Sequence, residues 1–256
     1  MKKLKVSAVS YLNTIPFVYG MEHSDIIDQI DLELDIPSDC ANKLLTDKVD
    51  IGLVPVAILP QLEEHYIISD YCIGATGRVN SVLLLSDVPL NEIESIQLDY
   101  QSKTSVDLVR LLATKYWGIS PEWVDTMEGF ENKINGKVAG VIIGDRTFNL
   151  KKDYKYQYDL SEEWFNFTGL PFVFACWVST KKISTSFEES FNKALEFGVN
   201  RIDELIEKYN SSNIPKLKLK TYLKRDIDYA LDESKLKAIQ LFLEYTSKNS
   251  FSSILS

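Results

Sequence analysis

Two strongly apolar runs, residues 81–86 and 170–178, constrain this chain more than any other feature of it. Each has the length of a strand and is apolar at consecutive positions, the pattern of a strand buried on both faces. Elsewhere short apolar runs alternate with helical periodicity. Residues 4–9 read as a first strand, ended by the polar turn 10–13, with a helix beginning near Thr14 or Pro16. Residues 32–36 read as a second strand, followed by a helix over 38–48 capped by Ser38. The run 50–59 is a third strand passing into a helix at Pro55. Between the two apolar runs a second series follows: strand 96–98, helix 104–117, a strand near 123–124 and strand 139–143. Beyond residue 184 the chain is helical and charged, with helices over 187–209 and 234–247.

Such alternation predicts an α/β protein with largely parallel sheet and ligand groups at the strand C-terminal ends. The bracketing runs suit two lobes, a discontinuous first lobe of residues 1–85 and 175–256 and an inserted second lobe of 86–174. The crossover strands then lie near 81–88 and 170–178. This is the architecture of hinged binders that hold a ligand between their lobes. A single continuous sheet is the competing arrangement.

The formal net charge of -9 argues against nucleic acid, whose recognition needs a basic surface. An anionic small ligand is compatible with it if donors are gathered locally in the site. With three widely spaced cysteines, Cys40, Cys72 and Cys176, and two histidines, His23 and His65, neither a disulfide framework nor a metal site is expected. A Ser-His or Cys-His catalytic pair is equally unexpected. Lys2, Lys3 and Lys5 mimic the start of a secretory signal, but Ser7, Ser10, Asn13 and Pro16 interrupt the apolar stretch it needs. No segment approaches the ~18 apolar residues of a membrane span. The expectation is a cytoplasmic protein with no membrane partner.

Four segments carry candidate chemistry. The first, Ser10 to Phe17, gathers Ser10, Tyr11, Asn13 and Thr14 after the first strand, where side-chain and backbone donors can meet a carboxylate. Asn13 as a helix cap explains the same residues. The second is Gly74-Ala75-Thr76-Gly77-Arg78-Val79-Asn80-Ser81, in which the glycines allow tight turns and Arg78 can grip a carboxylate; a structural turn with a solvent-facing Arg78 is the alternative. The third, Gln101 to Ser105, opens a helix, and Thr104 and Ser105 there are good caps and anion ligands alike. The fourth, Gly144-Asp145-Arg146-Thr147-Phe148, ends a strand, and Asp145 with Arg146 either faces a ligand or makes a local pair.

Taken together the segments resemble the chorismate dehydratase family of the futalosine route to menaquinone. The matching phrases are SYLNTIPF (10–17), DIGLVPVAIL (50–59), IGATGRVNSVLLLS (73–86), Lys103-Thr104-Ser105, IGDRTF (143–148) and GLPFVFACWV (169–178), in order across roughly the first 180 residues. The resemblance implies a type 2 periplasmic-binding-protein-like fold. It also implies loss of water from chorismate, with Asn13 and Ser81 as the catalytic positions and no cofactor. Ser10, Tyr11, Thr76, Gly77, Arg78, Asn80, Thr104, Ser105, Gly144 and Asp145 are then the substrate-binding set. Where many relatives carry Pro and Gly before the serine, this chain has Arg78 and Asn80. The implied partner is a small dicarboxylate, chorismate, bound by a monomer or homodimer. A cytoplasmic small-anion-binding protein and the sibling naphthoate synthase of the same pathway are the rival readings.

Overall fold

The structure, a computed structural model, describes residues 3–208 and 214–250, without the side chains of 248–250. In chain order its strands are β1 (Leu4–Val9), β2 (Ile30–Asp35), β3 (Ile51–Pro55), β4 (Tyr66–Ala75), β5 (Val82–Ser86), β6 (Ser95–Leu98), β7 (Glu122–Asp125), β8 (Val138–Ile143), β9 (Tyr156–Asp159), β10 (Phe172–Ser179) and β11 (Asp228–Ala230). The α-helices are α1 (Ile15–Glu22), α2 (Pro37–Leu45), α3 (Lys103–Leu112), α4 (Leu160–Thr168), α5 (Thr185–Val199), α6 (Ile202–Lys208), α7 (Lys216–Thr221) and α8 (Glu233–Ser250). Among the described residues no helix is long and apolar enough to cross a membrane.

The chain divides into two units. Unit 1 is Met1–Gly74 with Val173–Asp232, and unit 2 is Ala75–Phe172 with Glu233–Ser256. Unit 1 is built on a six-stranded sheet of order β11-β4-β10-β3-β1-β2. β1 runs parallel to β2, from Leu4 opposite Ile30 to Val9 opposite Asp35, and parallel to β3. The last four residues of β1 are buried, as a strand covered on both faces requires. The outer strand β2 alternates instead, and its charges Asp31, Glu33 and Asp35 guard the open edge. Lys43 of α2 reaches back to Glu33 at 2.6 Å and Asp35 at 2.7 Å.

Unit 2 has a five-stranded sheet of order β7-β6-β8-β5-β9. β6 is parallel to β7 and β8, while β5 is antiparallel to β8 and β9. Its aromatic core includes Trp164 of α4 with Phe172 and Phe242, the Phe172 and Phe242 rings meeting edge to face at 5.3 Å.

Several expectations need correction. The sheets are mixed rather than largely parallel: β10 runs antiparallel to β3, β11 to β4, and β5 to both β8 and β9. Residues 75–85 and the last helix fall in unit 2 rather than the first lobe, because β5 pairs only within the second sheet and Phe242 packs in its core. The helix read over 38–48 is Pro37–Leu45, with Ile36 rather than Ser38 at its N-cap and no side-chain cap bond. The helix read over 187–209 is broken near Asn200 into α5 and α6, and Tyr209 lies outside the described residues.

Candidate functional site

In unit 1 the parallel register brings the C-terminal ends of β1, β2 and β3 to one edge. Ser10 continues from β1, its backbone N–H donating to the Asp35 carbonyl at 2.8 Å. Residues Leu12–Thr14 form a 3-10 turn before α1. Asn13 does not cap that helix: Thr14 is the N-cap residue and makes no side-chain cap bond. The buried Asn13 side chain accepts at Oδ1 from Thr14 Oγ1 at 3.2 Å, and the Asn13 backbone carbonyl accepts from the Tyr229 hydroxyl at 3.0 Å. Burial holds the Tyr229 phenol well above its ordinary pKa, so it remains a donor. Its ring stacks edge to face on Phe17 at 5.2 Å, which fixes the whole turn against the core. Ser10 and Tyr11 also line an apolar groove with Val18, Tyr19, Leu34 and Leu205.

In unit 2 three predicted segments meet at one sheet edge. β5 is antiparallel to β8 with Val82 opposite Ile143, so the start of β5 lies beside the end of β8. The buried Ser81 accepts from the Gly144 N–H through its carbonyl at 2.8 Å. Gly144 has φ +62°, a left-handed value suited to glycine, and begins a 3-10 turn closed by Thr147 Oγ1 on its carbonyl at 2.9 Å. The parallel β6 ends next to β8, and after it Asp99 is buried, accepting from Gln101 N at 2.9 Å and Ile143 N at 3.1 Å. Arg146 donates to Asp99 and, at 2.8 Å, to Glu131, with its guanidinium over the Tyr100 ring at 5.3 Å. Burial raises the Asp99 pKa on balance, outweighing the downward pull of the Arg146 guanidinium. Arg146 therefore pairs locally, but with Asp99 and Glu131. Arg146 and Asp145 line a groove of about 650 Å³ together with Tyr100, Gln101, Lys151 and Tyr154.

The cap of α3 is Ser102, whose Oγ accepts from Ser105 N at 3.3 Å. Thr104 and Ser105 are buried inside the first turn rather than capping it. Residues 76–80 link β4 to β5. Gly77 (φ +83°) and Asn80 (φ +60°) are left-handed, and the space beside Gly77 is open, so the turn requires glycine there for its backbone angle. Arg78 Nε donates to Asn80 Oδ1 at 2.7 Å, and its guanidinium lies 3.7 Å from Glu162.

Sequence reading missed Asp159, the N-cap of α4. Its Oδ1 accepts from Ser161 N at 3.1 Å and Glu162 N at 3.3 Å, and its Oδ2 from Val79 N at 3.0 Å and Asn80 N at 2.6 Å. Burial lifts its pKa to about 6 against the pull of those amides. The pattern Asp-Leu-Ser-Glu-Glu is a helix-start signal that could have found it. Asp99 and Tyr229 carried no comparable local signal. No group of three or more His, Cys, Asp or Glu among the described residues is arranged to hold a metal ion. All three cysteines are buried and none is in a disulfide, and burial pushes the Cys40 and Cys176 thiols up to about 12.

A family model described as menaquinone biosynthesis matches residues 4–248. The chain belongs to the menaquinone biosynthesis family. It is 26% identical over 230 residues to a chorismate dehydratase of Thermus thermophilus, covering 82% of this chain and 84% of that one. Among solved structures, protein AF1704 of Archaeoglobus fulgidus superposes with a TM-score of 0.75 at 16% identity, over 97% of this chain and 98% of that one. The alkanesulfonate-binding protein SsuA of Xanthomonas axonopodis, solved with MOPS, gives 0.65 at 13% identity over 99% and 93%. A Candida albicans protein described as having the generic periplasmic binding protein fold gives 0.64 at 11% identity over 97% and 91%. This member of the menaquinone biosynthesis family thus has a periplasmic-binding-protein-like fold.

Proposed function

We propose that this chain is a hydro-lyase that converts chorismate into 3-[(1-carboxyvinyl)oxy]benzoate and water. The family assignment and the chorismate dehydratase relative support the reading. The observation that carries it to residues is Asn13: a buried amide, positioned by Tyr229 and Thr14 and not engaged in capping, at the strand edge of unit 1. Ser81, at the strand edge of unit 2, is the second residue assigned to the substrate.

The chemistry asks little of the protein. Loss of the ring C3 proton and the C4 hydroxyl completes a benzene ring. The C3 proton is acidified because charge spreads through the ring double bond to the carboxylate. The substrate's own enolpyruvyl carboxylate takes that proton and passes it to the C4 hydroxyl, and the C4 C–O bond breaks to release water. Asn13 orients the reacting groups, Ser81 hydrogen-bonds the departing hydroxyl or the carboxylate, and Tyr229 holds the Asn13 backbone in place. The substrate-binding assignments are Ser10, Tyr11, Thr76, Gly77, Thr104, Ser105, Gly144 and Asp145. Arg78 and Asn80 complete the set and bond to each other, Arg78 Nε donating to Asn80 Oδ1.

Incubation of the purified protein with chorismate, followed by chromatography for the aromatic product, tests the proposal. Asn13→Ala and Ser81→Ala are each expected to lower kcat about 100-fold or more while leaving unfolding unchanged. Wild-type rates in both variants sink the residue assignment. Tight chorismate binding without product favours a binding protein, the reading that the alkanesulfonate-binding likeness supports.

A further inference from the structure

Ser81 is the first residue after a loop whose backbone is not at rest. Asn80 holds φ +60°, a left-handed conformation that costs a non-glycine residue about 1 kcal/mol. Something must keep the loop there, and the structure contains the device. Asp159, 1% exposed, uses both carboxylate oxygens at once. Oδ1 caps α4 through Ser161 N and Glu162 N, and Oδ2 takes the N–H groups of Val79 and Asn80, the latter at 2.6 Å. A second strap joins the same loop to the same helix, Arg78 lying 3.7 Å from Glu162. On its other side Ser81 is fixed through its carbonyl by the Gly144 N–H at 2.8 Å.

We infer that Asp159 is a positioning residue: its carboxylate fixes the backbone of Val79 and Asn80 against α4 and thereby sets where Ser81 presents its hydroxyl. The inference rests on the reading of Ser81 as a substrate-handling residue. A carboxylate is required because four N–H donors converge on it and both of its oxygens only accept. An asparagine turns an NH₂ group toward one pair of donors. A serine retains the helix cap but cannot reach the loop.

Asp159→Ser separates the two duties. Amide exchange at Val79 and Asn80 is expected to quicken at least ~10-fold while Ser161 and Glu162 stay within a few-fold of wild type. The kcat for chorismate is expected to fall ~10- to 100-fold with KM changed less than ~3-fold, a misplacement rather than a loss of binding. In a Ser81→Ala background the same substitution is expected to cost almost nothing further, because it acts through Ser81; a merely structural role gives additive losses. Unchanged exchange at Val79 and Asn80 overturns the clamp. Loosened amides with wild-type kcat, or additive losses, overturn the positioning role. If Asp159→Ser does not fold, Asp159→Thr, which also keeps the cap hydroxyl and falls short of the loop, gives the same readouts. A wild-type protein that does not convert chorismate refutes the dehydratase reading, and with it the role toward Ser81, while the exchange measurement still decides the clamp.

Discussion

Gly20 and Gly198 face each other where α1 crosses α5: a Cβ on Gly198 would stand 2.8 Å from the Gly20 nitrogen, and one on Gly20 would stand 3.0 Å from the Gly198 nitrogen. Each added Cβ also runs into rigid backbone, the Pro16 carbonyl for Gly198 and the Ala194 carbonyl for Gly20. Because α1 starts two residues after Asn13, this crossing fixes the helix that the Asn13 turn feeds. Gly198→Ala is therefore expected to destabilise by about 3 kcal/mol or more, read as a lowered urea midpoint. Gly140→Ala meets only the Ile134 and Gln97 side chains and is expected to cost less. Equal losses contradict the backbone contact.

Asp159 gives a pH signature with a definite sign. Its pKa stands at about 6 in the folded chain against 3.8 as an ordinary carboxyl, chiefly through burial. Its contribution to stability is thus fully present below pH 3.8 and is lost as pH rises through about 6. The loss amounts to about 3 kcal/mol at ~1.4 kcal/mol per pH unit. Urea unfolding of wild type and Asp159→Asn between pH 4 and 7 is expected to show a stability difference that moves against wild type as pH rises. A flat difference curve refutes it.

The Asp99–Arg146 pair is sunk at its acidic end, with the Asp99 side chain 0% exposed. Arg146→Met leaves that carboxylate buried without its cation and is expected to cost about 3–5 kcal/mol in urea unfolding. Adding Asp99→Asn removes the charge and should recover part of the loss. A double variant less stable than Arg146→Met alone contradicts the account.

Ser102, not Thr104 or Ser105, caps α3. Ser102→Ala is expected to cost about 1 kcal/mol, and Ser102→Asp to keep most of it. Thermal unfolding of the two variants checks the order.

Local chemistry made much of this legible. β1 has the bounds read for it, and β6, β7 and β8 lie within a residue of theirs, because each is an apolar run between clear breakers. β4 escaped notice because its tail merges into the glycine-rich loop, and β9 because Tyr-Gln-Tyr-Asp has little apolar pattern. Ser102 lost its cap to Thr104 and Ser105 in the reading because several hydroxyls stand in a row. Which one caps depends on the extended backbone at Ser102, a fact of conformation rather than composition. The link between Tyr229 and Asn13 joins residues 216 apart and has no signature in either neighbourhood.

The aromatic core of unit 2 has a consequence for how the polypeptide is made. Trp164 and Phe172 pack on Phe242, and α8 reaches unit 2 only after the chain has completed the sheet of unit 1. On the ribosome, then, the second unit stays unfinished until the last helix has emerged. A nascent chain halted near residue 232 leaves Trp164 and Phe172 without the Phe242 ring that packs on both, a target for chaperones or for aggregation.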